Sequence, residues 1–173
     1  VLAALRENLS WLLRTSPPTN CEGLQRVIAR TRGVTAENIL PGGGSSDLIF
    51  LALRHWLTPS SRVLILDPMY GEYAHVLENV IGCRVERLSL SREENYQINL
   101  CELEKQIQRG YDLVILVNPN SPTGQFVPRV ELEKIMSRVP PATRVWIDET
   151  YIEYATVMCA VSSARVGCGQ PTL

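Results

Sequence analysis

The spacing of apolar residues changes its period along the chain. Leucines at 2, 5, 9, 12 and 13 recur at helical intervals and predict a helix over residues 2–13, ended by Ser16-Pro17-Pro18. Thr19 and Glu22 have capping-box spacing, which predicts a second helix over 21–31 closed by Gly33. From residue 39 onward, short apolar runs alternate with amphipathic stretches. Ile39-Leu40 reads as a short strand. A helix over 47–57 follows, with Leu48, Leu51, Ala52 and Trp56 on its apolar side. Residues 62–67 read as a buried strand, 71–81 as a helix, and 84–90 as a strand of alternating polarity. Asn99 and Glu102 form a second capping box, for a helix ending near Gly110. Residues 112–117 form the most apolar strand of the chain. Pro128 suits the first turn of a helix running to about Arg138, and 144–148 is the final strand.

Strands separated by helices of about ten residues argue for βαβ units, a largely parallel sheet, and therefore an α/β fold built as a three-layer α/β/α sandwich. In such sheets ligands bind outside the carboxyl ends of the strands. The residues at those ends carry the functional reading.

Composition narrows the setting. At 173 residues, the chain has the length of one ordinary domain. Apolar residues make up 45% and charged residues 20%, with a net charge of −1, an ordinary globular balance. Such a balance provides no electrostatic footprint for nucleic acid or for an anionic membrane, so neither is expected as a partner. No apolar run approaches the ~20 residues of a membrane span. The chain begins with Val rather than Met and shows no signal-peptide pattern, so it is expected to start inside a longer one and to be cytoplasmic. Cys21, Cys83, Cys101, Cys159 and Cys168 contain no C-x-x-C pair, which argues against a zinc site or a disulfide framework and for a reducing compartment. Of the 17 basic residues, two are lysines, Lys105 and Lys134, each among glutamates on a predicted helix.

Four strand ends bear chemistry. After the first strand stands Gly42-Gly43-Gly44-Ser45-Ser46-Asp47. The N–H groups at a helix start, with two hydroxyls, make an anion site suited to phosphate. It has neither Walker A nor dinucleotide spacing, which disfavours a nucleotide-binding domain. After Asp67, the ring of Tyr70 is placed to cover a planar ligand. After Val117, the rigid loop Asn118-Pro119-Asn120-Ser121-Pro122-Thr123-Gly124 presents polar side chains able to bond a ligand oxygen. After Val145-Trp146-Ile147, Asp148 places a carboxylate at the edge of the core. Arg138 and Arg144 lie at the other end of that strand, so a cation on the ligand is the expected partner. A phosphate, a flat ring, an oxygen facing the Asn/Ser loop and Tyr151, and a protonatable ring nitrogen are combined in pyridoxal 5′-phosphate.

The ordered set Gly-Gly-Gly-Ser-Ser-Asp, Asp-Pro-Met-Tyr, Asn-Pro-Asn-Ser-Pro-Thr-Gly and Asp-Glu-Thr-Tyr-Ile-Glu-Tyr resembles the class I/II aminotransferases of fold type I. Within them it is most similar to the histidinol-phosphate aminotransferase and threonine-phosphate decarboxylase branch. The resemblance covers roughly residues 1–155. It implies a mixed sheet, an N-terminal arm or small-domain portion over 1–35, a partial cofactor domain over 36–154, and a divergent tail over 155–173. It also implies that the Gly44, Ser45 and Ser46 region holds the cofactor phosphate and that Tyr70 stacks on the pyridine ring. Asp148 would pair with the ring nitrogen and Tyr151 with the phenolic oxygen. An amino donor and an oxo-acid acceptor follow as substrates, and a homodimer as the assembly, to which the leucine face of residues 2–13 would contribute.

The chain departs from that pattern in three places. Ser121 stands before Pro-Thr-Gly where the family has Asn, so either Ser121 or Asn120 faces the phenolic oxygen. Ser16 stands where many relatives place a Tyr that reaches the partner subunit. No lysine follows Asp148, whereas the family's cofactor-linking lysine lies some thirty residues beyond it. The expectation is therefore an aminotransferase-type chain without a catalytic residue of its own. Decarboxylation of a phosphorylated amino acid, or a non-catalytic fragment of the fold, remain as alternatives.

Overall fold

The computed structural model describes residues 1–16 and 18–155. They form two compact units, one spanning Val1–Pro41 and one beginning at Gly42. The first unit contains α1 (Leu2–Leu12), α2 (Glu22–Arg32) and a short 3-10 turn (Ala36–Asn38). Capping of α2 differs from the expectation. Cys21 takes the N-cap position in a left-handed conformation (φ 52°), with no side-chain cap bond. Asn20, not Thr19, meets Glu22, donating to its carboxylate over 2.8 Å. Ile39-Leu40 is not a strand. Ile39 is extended, but its carbonyl accepts the Gln25 side-chain amide at 2.9 Å rather than a neighbouring strand. Two extended residues without a partner have no ladder to join.

The second unit follows the expected alternation: α3 (Ser45–Trp56), β1 (Arg62–Asp67), α4 (Gly71–His75), β2 (Arg84–Ser89), α5 (Leu100–Ile107), β3 (Leu113–Val117), α6 (Arg129–Met136) and β4 (Arg144–Asp148). The helix expected over 71–81 changes pitch after α4 and continues as a π-helix over Val76–Ile81. It stops at Gly82 (φ 83°), where the Gly82 and Cys83 N–H groups both donate to the Leu77 carbonyl. At α5, Asn99 supplies its half of the capping box by accepting the Glu102 N–H at 3.0 Å. Glu102 instead accepts from Gln106. Pro128 is the N-cap of α6 rather than its first helical residue. On α3 the buried side chains are Ile49, Ala52 and Leu53, while Leu51 is exposed, a shift of the apolar face from the one expected.

The strands lie in the order β2-β1-β3-β4, and all pairs are parallel. The antiparallel member of a mixed sheet is not among the described residues. Residue parity along the strands divides the core into two layers. Val63 and Ile65 of β1 and Leu113, Ile115 and Val117 of β3 pack with Ile49, Leu53, Tyr73 and Leu77 on one face. Leu64, Leu66, Val114 and Leu116 pack with Leu103, Ile107, Leu132 and Ile135 on the other. Every residue of β3 is buried, as an inner parallel strand covered by helices on both faces requires. The result is the three-layer α/β/α arrangement.

At the amino end of the sheet, Glu86 accepts from Arg62 (2.6 Å) and from the Tyr111 hydroxyl (2.9 Å), and pairs with Arg109 (3.0 Å). Bonding to Arg62 first, and then to Tyr111, holds its carboxyl below the ordinary 4.5. A carboxyl lowered in the folded state contributes stability that is complete above its unfolded value and lost as pH falls through the folded one. Glu86→Gln is therefore expected to unfold more easily than the parent at neutral pH by under about 1 kcal/mol, since the pair is a third exposed. The two denaturant curves should converge as the pH drops below 4.5.

Candidate functional site

The direction of chain progression reverses between β1 and β3. From β1 the chain moves outward to β2, then crosses back to β3 and on to β4. Such a reversal opens a crevice at the carboxyl ends of the two strands between which it occurs. β1 and β3 pair at Val63↔Leu113 and Leu64↔Val114, in their amino-terminal halves. Farther along, a side chain supplies the bridge. Asn120 Nδ2 donates to the Pro68 carbonyl at 3.0 Å and to Thr123 Oγ1 at 2.9 Å. A carbonyl only accepts, so the amide orientation is fixed. Both side-chain donors of Asn120 are thereby committed inside the protein, and among the described residues its buried Oδ1 has no partner.

The loop after β3 is rigid for identifiable reasons. Asn118 exchanges two 2.9 Å bonds with the backbone of Val127. Gly124 takes a positive φ (72°) and donates to the Asn120 carbonyl at 2.7 Å. Ser121 stands partly exposed on this loop, and among the described residues no partner takes its hydroxyl.

Asp148 ends β4. Its Oδ2 accepts the Tyr73 hydroxyl at 2.8 Å, and its Oδ1 accepts the N–H (2.9 Å) and the hydroxyl (2.6 Å) of Thr150. All three partners are neutral donors. Among the described residues no Arg, Lys or His pairs with this carboxylate. The cationic partner expected from the sequence is thus not one of these side chains, and Tyr73 and Thr150 are contacts the sequence reading missed. Thr150 was legible, since an Asp followed two residues later by Thr is a local turn pattern. Tyr73 was not, because it lies 75 positions away. Burial, and then the Asp148 carboxylate, push the Tyr73 phenol far above its ordinary value, so it stays a donor.

At the start of α3, Gly44 is the N-cap with φ 112°, a conformation side chains avoid. A Cβ at Gly42 would meet the Leu48 side chain at 2.7 Å. The Gly43 N–H bonds Asp47 Oδ2 at 2.8 Å, and no side chain caps the first turn of α3. Ser45 is exposed. Ser46, assigned to the phosphate from sequence, donates its hydroxyl to Glu72 Oε2 at 2.7 Å. Tyr70 precedes α4 with its ring edge-on to Tyr73 (6.1 Å, 82°) and 39% exposed. Bonding to Glu72 raises its phenol above the ordinary 10.0. Tyr151 is 51% exposed, with its ring tilted on Tyr154.

The structure therefore links Ser46 to α4 through Glu72, Tyr70 to Asp148 through Tyr73, and the Asn120 loop to the turn after β1. Among the described residues no hydrogen bond ties Ser121 or Tyr151 to these. Lys105 and Lys134 stand on exposed faces of α5 and α6, paired with Glu102 and Glu131. Cys159, Cys168 and all but the first residue of the 155–173 tail lie outside the described residues.

The chain is 32% identical over 153 residues to the histidinol-phosphate aminotransferase of Staphylococcus carnosus, covering 88% of this chain and 42% of that protein. With the histidinol-phosphate aminotransferase of Staphylococcus haemolyticus it shares 32% identity over 142 residues, 81% of this chain and 39% of that one. It thus spans about two fifths of the length of these relatives. The crystal structure of histidinol-phosphate aminotransferase from Sinorhizobium meliloti in complex with pyridoxal-5′-phosphate superposes with a TM-score of 0.77 at 23% identity, over 91% of this chain and 42% of that one. L-threonine-O-3-phosphate decarboxylase from Porphyromonas gingivalis shares the fold, with a TM-score of 0.68 at 23% identity over 88% and 44%. With residues 3–168 matching the model of aminotransferase class I and II, the chain belongs to the class I and II aminotransferase family.

Proposed function

We propose that this chain forms the cofactor-binding part of a pyridoxal-phosphate-dependent aminotransferase. The reaction would move an amino group between an amino acid or amino-phosphate and a 2-oxo acid or related carbonyl. One observation carries this reading: Asp148, an acceptor-only carboxylate at a strand end, is held by three neutral donors and meets no cation among the described residues. A protonated ring nitrogen is the partner such a group lacks.

The remaining donor set fits the same molecule. The uncapped N–H groups of α3, with Ser45 and Ser46 after the Gly42-Gly43-Gly44 cradle, suit the phosphate. Tyr70 offers its ring face, and Tyr151 its hydroxyl for the phenolic oxygen. Asn120 has both donors committed, so Ser121 is the residue of that loop that faces the same oxygen. When bound, the cofactor supplies an electron sink for the pair left as a bond at the substrate's Cα breaks. Asp148 holds the proton on the ring nitrogen, the α3 terminus anchors the phosphate, and Tyr70 keeps water from one ring face. The unit that begins at Gly42 would serve as this cofactor domain, six residues later than the start at 36 expected from the sequence. Aminotransferase rather than decarboxylase is preferred because relatives 32% identical are aminotransferases, whereas the decarboxylase likeness is one of fold.

We further propose a homodimer and a cytoplasmic setting. Leu2, Leu5, Leu9 and Leu12 of α1 are each more than 40% exposed, an apolar stripe that association would cover. Cys21, Cys83 and Cys101 are free thiols, and among the described residues no helix is long and apolar enough to cross a membrane. Sedimentation should show a dimer that Leu5→Glu with Leu9→Glu converts to monomer. A monomer at high concentration would remove this part of the proposal.

Two measurements test the site. A polypeptide of these 173 residues should bind pyridoxamine 5′-phosphate in preference to ATP or NAD, without covalent linkage and without turnover. Asp148→Asn should weaken that binding about tenfold or more, the loss of a charge-assisted bond. Equal binding by parent and variant would remove Asp148 from the ring nitrogen. Glu72→Gln should act in the opposite sense. Its carboxylate holds the Ser46 hydroxyl and stands against an incoming phosphate, so neutralising it should tighten binding about two- to fivefold at low salt, with the gain shrinking as salt is added. Unchanged affinity would place the phosphate away from Ser46.

A further inference from the structure

Behind Asp148 lies a chain of hydrogen bonds whose direction is determined. Trp146 Nε1 lies 2.7 Å from the Tyr73 hydroxyl oxygen. An indole N–H is a donor and nothing else, so the tyrosine oxygen accepts from it. The single proton of that hydroxyl then goes to the acceptor on its other side, Asp148 Oδ2, at 2.8 Å. A neutral hydroxyl free to choose its partner would leave the carboxylate several arrangements, whereas this one has a single arrangement.

The parts of the relay are held in place. Tyr73 is 0% exposed. Its ring is edge-on to those of Tyr70 and Trp146 (6.4 Å, 70° to the latter), and Trp146 is edge-on to Trp56 (5.8 Å, 69°). Strand parity explains how the three polar groups meet. Trp146 and Asp148 are two residues apart on β4 and share the face covered by α3 and α4, where Tyr73 lies. Thr150 secures Oδ1 from the adjacent turn, so its bonds fix the carboxylate relative to its own strand. Tyr73 fixes Oδ2 relative to a different element, the helix that begins immediately after Tyr70.

We propose that Tyr73, directed by Trp146, is a positioning residue that sets the plane of the Asp148 carboxylate in register with the ring of Tyr70, so that ring-nitrogen partner and stacking residue meet one planar ligand together. This role rests on the assignment of Asp148 to the ring nitrogen made above. Tyr73 touches no ligand atom itself. It acts by holding Asp148, and its loss lets the carboxylate turn about its side-chain bonds while the charge stays in place.

The test uses pyridoxamine 5′-phosphate labelled with ¹⁵N at the ring, bound to the 173-residue chain and to Asp148→Asn, Tyr73→Phe and Trp146→Phe. The ¹⁵N shift reads nitrogen protonation at a pH where the free ligand has lost that proton, and titration gives affinity. Neither readout requires turnover. The parent should hold the nitrogen protonated and Asp148→Asn should not. Tyr73→Phe should retain Asp148 yet move the shift toward the unprotonated value and weaken binding about tenfold. Trp146→Phe, which leaves the Tyr73–Asp148 bond but removes the N–H that anchors the Tyr73 oxygen, should fall between. It decides the matter if near-UV circular dichroism shows that Tyr73→Phe has lost its native packing. Parent-like shift and affinity in Tyr73→Phe and Trp146→Phe, with Asp148→Asn altered, would overturn the relay and leave the Asp148 assignment standing. No ligand binding by the parent, or a parent-like shift in Asp148→Asn, would overturn that assignment and the relay with it.

Discussion

The bond from Asn120 to the Pro68 carbonyl does what a strand ladder would otherwise do. β1 and β3 pair along their amino-terminal halves, and the reversal of chain direction between them leaves their carboxyl ends to part. A short, fully buried side chain closes that gap from one loop to the other. It thereby sets the spacing between the turn that carries Tyr70 and the loop that carries Ser121. The cost is the buried Oδ1 of the same residue, which has no partner among the described residues. An amide with one acceptor stranded in the interior is retained where its donors are needed more than its acceptor. This also distinguishes two neighbours that sequence alone leaves equivalent: the side-chain donors of Asn120 are committed within the protein, whereas among the described residues the Ser121 hydroxyl has no partner.

The rim is electrostatically divided. At the α3 end, uncapped N–H groups favour an anion, yet Asp47 and Glu72 already bond to the Gly43 N–H and the Ser46 hydroxyl. These carboxylates stand in for part of the interaction a phosphate would make, so an incoming anion exchanges partners rather than filling bare donors. At the β4 end the polarity is inverted: among the described residues the Asp148 carboxylate meets neutral donors. A ligand that is negative at one end and positive at a ring atom matches both. A simple anion would satisfy the first end and be repelled by the second.

What the sequence revealed and what it hid divide along a physical line. β3 was legible because five consecutive apolar residues have no solvent-facing alternative, and β1 for the same reason. The Asn99 cap was legible because it is a contact over three residues. Ile39-Leu40 misled, since extended residues become a strand only when another strand accepts their backbone groups. Thr19 misled because neighbouring Asn20 competes for the same glutamate, and Cys21 enters α2 by a left-handed turn. The candidate site residues after β1, β3 and β4 were picked out by their place at strand ends, whereas Gly44, Ser45 and Ser46 follow no strand. Their partners were hidden whenever they came from another element: Glu72 for Ser46, 26 positions away, and Tyr73 for Asp148.

The height and facing of Asp148 follow from the register of the sheet. Val117 stands level with Asp148, and the Asn118 N–H continues the ladder onto the Asp148 carbonyl at 2.8 Å. The polar loop after β3 and the carboxylate after Ile147 therefore emerge at the same level because two apolar strands end together. Sliding β4 by one residue would turn Trp146 and Asp148 to the opposite face, toward α5 and α6, and away from Tyr73. That slip would also put Ile147 on the α4 side, exchanging it with Trp146 between the two core layers that now receive them. Packing thus opposes the same displacement that would dismantle the candidate site, and the orientation of a polar group at the rim is enforced by apolar side chains one and two residues inside it.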